Sequence, residues 1–192
     1  MQDPFAHRRV HPGVVVKMSA TLVLRHLDAF RAELGLDIVD RAIAGLPRPM
    51  REELDALVSG AWFACEDVDT VYEAIATAAG RDLEELLPVV TQRGNADTFS
   101  TVWKALMRMA PGRLLLKRAG AMFEKTYTHG RLTATDLGDD VCLDLTHWPG
   151  VPNNRLLGTA AGVRAVLRLA GRSDARVECE RTPDGARFLI RM

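Results

Sequence analysis

Hydrophobic and polar positions recur along this chain with two different periods, and the change of period divides it. From Ser19 to about Thr128 the apolar residues return every three or four positions, the spacing of one face of a helix. Val23, Leu27, Phe30 and Leu34 form the first such stripe, with Ser19 as its cap and Gly35 as its stop. Ile38, Val39 and Ile43 predict a short helix over 37–44, Leu46-Pro47-Arg48-Pro49 is a break, and 50–59 returns to helix. Residues 60–67 are predicted as a loop carrying Trp62, Phe63 and Cys65. Val68, Val71, Tyr72, Ile75 and Ala79 mark the next helix, closed by Gly80. Asp82 caps another, with Leu83, Leu86, Leu87 and Val90 inward and Pro88 as a kink or start. Two further helices are predicted from Phe99, Val102, Trp103, Leu106 and Met109, and from Leu115, Ala119, Met122 and Phe123, on either side of Pro111-Gly112.

After Gly130 the period becomes two. Leu132 and Ala134, then Val141, Leu143 and Leu145, alternate with polar residues around Gly138-Asp139, the pattern of a hairpin. A long helix follows, with Asn153 or Asn154 as its cap, Leu156, Ala160, Val163, Leu167 and Ala170 as its apolar face, and Gly171 as its stop. Val177 and Cys179 alternate with charged residues, Thr182-Pro183-Asp184-Gly185 turns the chain, and Phe188 and Ile190 alternate on the return. The apolar pattern sets Cys179 near Phe188; a bulge at Gly185 is the competing register. The fold class predicted is α+β: a helical N-terminal half packed with a four-stranded antiparallel sheet, and a long helix between two hairpins. Residues 1–12 read as a flexible basic tail and 13–192 as a single α+β ligand-binding-like domain.

Charge and cysteine content narrow the classes. With 25 basic and 25 acidic side chains the formal net charge is zero, which argues against a general nucleic-acid binder. Cys65, Cys142 and Cys179 are odd in number and far apart, so neither a disulfide framework nor a metal knuckle is expected. Reduced thiols point to a cytoplasmic protein. No apolar run approaches the ~20 residues of a membrane span, and Val14-Val15-Val16 is too short for a signal peptide.

The sequence carries no P-loop, no G-x-S-x-G, no H-E-x-x-H and no C-x-x-C, so an enzyme is not expected. His7, His11, His26, His129 and His147 are scattered, and His26, within an amphipathic helix, reads as a satisfied structural histidine. The adjacent pairs Glu84-Glu85 and Asp139-Asp140 do not converge on one point, and no metal site is expected. Arg164, Arg168 and Arg172 share one side of the last helix and read as a solvated face. Met107, Met109 and Met122 read as adaptable core. Gly158 and Gly162 also share one side of that helix. Each weakens a helix by about 1 kcal/mol against alanine, which leaves two explanations: tight packing on the sheet, or the wall of a pocket. The tight contact is the expectation. The candidate pocket residues are Trp62, Phe63, Trp103, Met122, Phe123, Trp148, Gly158 and Gly162.

A resemblance adds to this reading. The run Gly13 to Lys17, Leu27-Asp28-Ala29-Phe30, Gly35, Leu46-Pro47 and Trp62 resemble an uncharacterised family of myxobacterial paralogues. That family is distantly similar to haem-nitric-oxide-binding domains, 4-vinyl-reductase domains and the small subunits of the TRAPP complex. Val177 to Glu180 with Gly185 to Phe188 resembles the closing hairpin of the 4-vinyl-reductase domain, with Ala186 near the place of that domain's second cysteine. The resemblance implies a helical layer beside an antiparallel sheet with an apolar cavity between, and pairing with a second copy or a signalling partner. In the nitric-oxide-binding relatives an axial histidine lies on a helix before the strands, and a Tyr-x-Ser-x-Arg stretch holds the propionates. Here the helical segments 95–109 and 113–128 contain no histidine, and Leu143 to Pro149 offers neither the tyrosine nor the arginine; Asp144 would repel a carboxylate if it pointed inward. His129 and His147 remain, both at element ends. No cofactor is therefore expected, haem being disfavoured. The function expected is a non-enzymatic sensor or regulatory domain with a small apolar ligand. The alternative is a dimeric adaptor with a filled cavity, paired through its N-terminal helices.

Overall fold

The computed structural model describes residues 14–96, 116 and 118–191. Strand β1 (Lys17–Ser19) pairs antiparallel with β2 (Trp62–Ala64), Met18 lying opposite Phe63. Both of those side chains are buried, so this small ribbon is anchored in the core. The predicted loop at 60–67 is thus a strand running straight into a helix, and the Cys65 N–H donates to the Val16 carbonyl at 2.9 Å. Three residues of strand are too short to show an alternation distinct from a helix start.

Helices α1 (Ala20–Leu34), α2 (Leu36–Ala44), α3 (Arg48–Asp55), α4 (Cys65–Ala79) and α5 (Leu83–Ala96) make the N-terminal half. They are the elements that the helical stripes predict, with ends shifted by a few residues. A short helix, α6 (Ala119–Glu124), precedes the sheet, and α7 (Asn153–Leu169) divides its hairpins. The caps differ from the expectation. Ser19 sits at the head of α1 without a side-chain capping bond. Asn153 and Asn154 lie inside the first turn of α7 and donate to Glu84 at 2.8 Å and Asp69 at 3.3 Å, so they tie α7 to α5 and α4 instead.

The sheet holds β3 (Arg131–Asp136), β4 (Asp140–Thr146), β5 (Arg176–Thr182) and β6 (Gly185–Arg191) in the order β3-β4-β6-β5. The last strand is therefore central, bonded to β4 on one side and β5 on the other. Cys179 lies opposite Phe188, and Thr182 opposite Gly185, the unbulged register. A Cβ on Gly185 would collide with the Leu145 carbonyl, so glycine is what lets β6 begin this close to β4. Val141, Leu143, Leu145, Phe188 and Ile190 are all buried, and they join the stripes of α1, α4, α5 and α7 in one continuous core.

Two polar groups sit within that core. Arg155, only 2% exposed, pairs with the Asp69 carboxylate of α4 and donates to the Met18 sulfur at 3.7 Å. Burial pulls its pKa down, but Tyr127, Asp69 and Cys65 outweigh that and leave it raised, so the guanidinium stays charged. His26 on α1 shares a 2.8 Å hydrogen bond between Nδ1 and the Tyr72 hydroxyl of α4. Burial first, and then the charge of Arg155, pulls His26 down from 6.5 to about 3, so its imidazole is neutral at neutral pH. The expectation of a satisfied structural histidine holds for one ring nitrogen only, because Nε2 has no partner.

Two outcomes follow for stability. Asp69→Ala leaves the buried Arg155 charge without its acid and should cost about 3–5 kcal/mol. Urea denaturation reads this as a lower midpoint at unchanged slope, and a loss below about 1 kcal/mol contradicts it. The depressed pKa of His26 stabilises the fold above pH 6.5, and that contribution fades as pH falls from 6.5 toward 3. At about 1.4 kcal/mol per unit the full loss is roughly 4–5 kcal/mol. Between pH 6.5 and 5, where carboxylates are still ionised, the native chain should lose stability faster than His26→Phe does. Parallel curves would contradict the buried neutral imidazole.

Candidate functional site: a cavity between the first and last helices

The first helix and the last do not close on each other. Between α1, α5, α6, β3 and α7 lies a cavity of about 410 Å³. Its far wall is α7, where Gly158, Gly162, Val163 and Val166 face inward. Leu22 comes from α1, Phe123 from α6 and Leu132 from β3. A Cβ on Gly158 would meet nothing within 4 Å. The expected tight contact is therefore absent at Gly158, which borders open space, and both glycines are only half-buried.

The near wall is positioned by backbone pairing. The turn after α6 runs along β1: Ser19 N–H donates to the Thr126 carbonyl at 2.8 Å, and Thr128 N–H to Lys17 at 3.0 Å. This places Lys125 at the mouth and Tyr127 inside. Burial pushes the Tyr127 phenol up, with the Arg155 charge opposing. Phe123, Tyr127 and Trp148 form an aromatic cluster behind that wall, with ring centroids 4.9 Å and 5.3 Å apart along the chain of contacts.

The polar content of the cavity is small and uneven. Arg25 and Lys125 are exposed at the mouth, and no carboxylate is among the described lining residues. Deeper in, His26 and Thr91 are 3% and 4% exposed, and His26 Nε2 and Thr91 Oγ1 are both buried without a hydrogen-bond partner. An unpaired buried polar atom costs about 1–3 kcal/mol, so two on one cavity wall call for an explanation.

The sequence-predicted pocket residues separate. Met122, Phe123, Gly158 and Gly162 come together on this cavity. Trp148 is buried behind it, its ring 6.4 Å from Phe123. Phe63 is core beneath the β1–β2 ribbon, and Trp62 on the same ribbon is 39% exposed; neither lines the cavity. Trp103, Met107 and Met109 lie outside the described residues. The sequence reading missed His26, Thr91, Arg25 and Lys125. One signal was present for His26: it falls between Val23 and Phe30 on the buried stripe of α1, where a polar residue needs a reason. Arg164 and Arg168, read as a solvated face, instead reach the Val177 carbonyl at 3.0 Å and Gln92 at 2.8 Å, bracing α7.

No protein-family model matches this sequence, and no curated protein matches it. Solved structures do match in shape. An Fe(II) unliganded H-NOX protein from K. algicida superimposes with a TM-score of 0.67 at 10% identity, covering 91% of this chain and 96% of that one. An oxygen-binding H-NOX domain related to soluble guanylate cyclases, solved as its oxygen complex, gives 0.62 at 14% identity over 90% and 93%. A structure that probes haem distortion in the H-NOX family gives 0.68 at 13% identity over 90% and 93%.

This likeness overturns one expectation, that haem is disfavoured, because the matching structures are haem-nitric-oxide/oxygen-binding domains. Leu143 to Pro149 does not line the cavity, and Asp144 is bound on the outer face of the sheet to Arg187 at 2.8 Å. It therefore repels nothing inside. At these identities the comparison establishes architecture: this chain has the H-NOX fold.

Proposed function

We propose that this chain is a non-enzymatic sensor or regulatory domain that holds a haem-class tetrapyrrole in the cavity beside α7. The observation that carries the reading is the composition of that cavity: apolar walls, cations at its mouth, and buried polar atoms left unpaired within. Its volume, about 410 Å³, falls in the range of roughly 300–1,000 Å³ typical of small-molecule sites. A filled adaptor core would show close packing there instead. The matching fold of the H-NOX structures supports the same ligand class.

The chain's own residues divide the work of such a site. Leu22, Phe123, Leu132, Val163 and Val166 exclude water from an apolar ring system. Arg25 and Lys125 stand where the carboxylates of an amphipathic ligand would leave the protein, and at a solvent-exposed mouth they set orientation more than affinity. Gly158 and Gly162 keep the wall of α7 flat against a planar group. Bound haem supplies an iron that takes a small diatomic gas. Because α7 touches α5 and β5, a shift of its wall is the natural route outward, to a signalling protein or to a second copy of the chain.

Haemin titrated into the purified chain should give a saturable one-to-one change in the Soret band; a linear, unsaturated rise overturns the reading. Gly158→Leu adds a side chain into open space, so it should weaken haemin binding at least about tenfold while the melting temperature holds or rises, since leucine favours helix by about 0.8 kcal/mol over glycine. Unchanged binding in a folded Gly158→Leu variant places the ligand elsewhere.

A further inference from the structure

We infer that His26 is the side chain through which this cavity grips the iron of its ligand, with Tyr72 as the positioning residue that decides which ring nitrogen is offered. The inference rests on the haem-class reading above and adds to it a histidine on the first helix.

Three observations lead to it. His26 lines the cavity, whereas Tyr72, its hydrogen-bond partner, does not. The ring edge carrying Nδ1 is therefore turned toward α4, which leaves the Nε2 edge free of that bond on a residue that borders the cavity. Nε2 is buried and has no hydrogen-bond partner among the described residues. The ring is also held in place: Tyr72 packs against Phe30 with centroids 5.2 Å apart, and Gly94 of α5 comes close to His26 Cδ2, a Cβ there falling 3.5 Å away.

The chemistry agrees with the geometry. A histidine binds a metal through the lone pair of a neutral ring, and the second nitrogen then keeps its proton and donates it to a fixed acceptor. In the tautomer whose Nδ1–H donates to the Tyr72 hydroxyl oxygen, Nε2 is the free acceptor. The surroundings of His26 keep the ring from taking a second proton: burial disfavours the cation, and Arg155 adds to the effect. Thr91 Oγ1, also without a partner among the described residues, is on α5 one turn before Gly94 and belongs to a residue that lines the same cavity. It is a ready partner for a polar atom of the bound ligand.

The experiment uses the full chain and two probes, haemin and metal-free protoporphyrin IX, with the native protein, His26→Ala and Tyr72→Phe. The native chain should bind haemin with the electronic and EPR spectrum of a nitrogen-ligated iron. His26→Ala should lose that spectrum and bind haemin about 10–100-fold more weakly, bind protoporphyrin IX as the native chain does, and recover the spectrum when imidazole is added. Tyr72→Phe keeps the ligand but frees the ring, and should bind haemin more weakly than the native chain and more tightly than His26→Ala. The metal-free porphyrin reports whether each variant still has a folded cavity. An unchanged haemin spectrum in His26→Ala overturns the assignment to His26 and leaves the haem-class reading standing. Failure of the native chain to bind either porphyrin overturns both.

Discussion

A guanidinium buried at the start of the last helix is the constraint around which this structure is arranged. Arg155 cannot be left unpaired at 2% exposure, since an isolated buried charge is among the most destabilising groups a core can hold. Its partners come from three separate elements: Asp69 on α4, the Met18 sulfur on β1, and Tyr127 after α6. Meeting that requirement fixes where α7 begins. Asn153 and Asn154 reinforce the position through Glu84 and Asp69, and Arg164 and Arg168 brace the far end of the helix on β5 and α5. Between those ends α7 lies against α5, with Leu156, Ala160, Ala161, Ala165 and Leu167 buried. On that footing Gly158, where a Cβ would meet nothing within 4 Å, stands beside the cavity.

The cavity is unusual for what it leaves unsatisfied. Close-packed cores pair nearly all of their buried polar atoms. Here His26 Nε2 and Thr91 Oγ1 remain unpaired on one wall, and about 410 Å³ beside them is unfilled. Both features lower stability, and both are relieved by a ligand with an apolar body and an atom that binds nitrogen. Arg51 Nε, Trp148 Nε1 and Arg155 Nε are also unpaired among the described residues, away from this lining; at this wall the unpaired atoms coincide with unfilled space, and that coincidence marks the candidate site. The Arg155 charge also links frame to site, since it helps to keep the His26 ring neutral.

Much of the architecture was legible in the sequence because it follows from periodicity. The stripe Val23, Leu27, Phe30 is buried on α1, and the alternation around Thr182-Pro183-Asp184-Gly185 gave the register that sets Cys179 opposite Phe188. Features with no period were not legible. The β2 strand is three residues long, and its burial comes from β1, more than forty positions earlier. The expected Asn cap of α7 failed because those amides had better partners on distant helices. The site was half legible. Phe123, Met122 and the two glycines lie on apolar or helical patterns, whereas the polar residues of the cavity, Arg25 and His26 on α1, Thr91 on α5 and Lys125 after α6, are far apart in sequence and share no period. The expectation against haem rested on helical segments 95–109 and 113–128, which hold no histidine, and on Leu143 to Pro149, which does not line the cavity; His26, on α1, lies outside all three.

The most direct measurement of the central claim is native mass spectrometry of the full chain, purified from cells supplied with a haem precursor. The account predicts a species carrying one haem per chain that loses the group on acid denaturation. A chain that emerges only in its bare form, or with a metal-free lipid in the cavity, would contradict it.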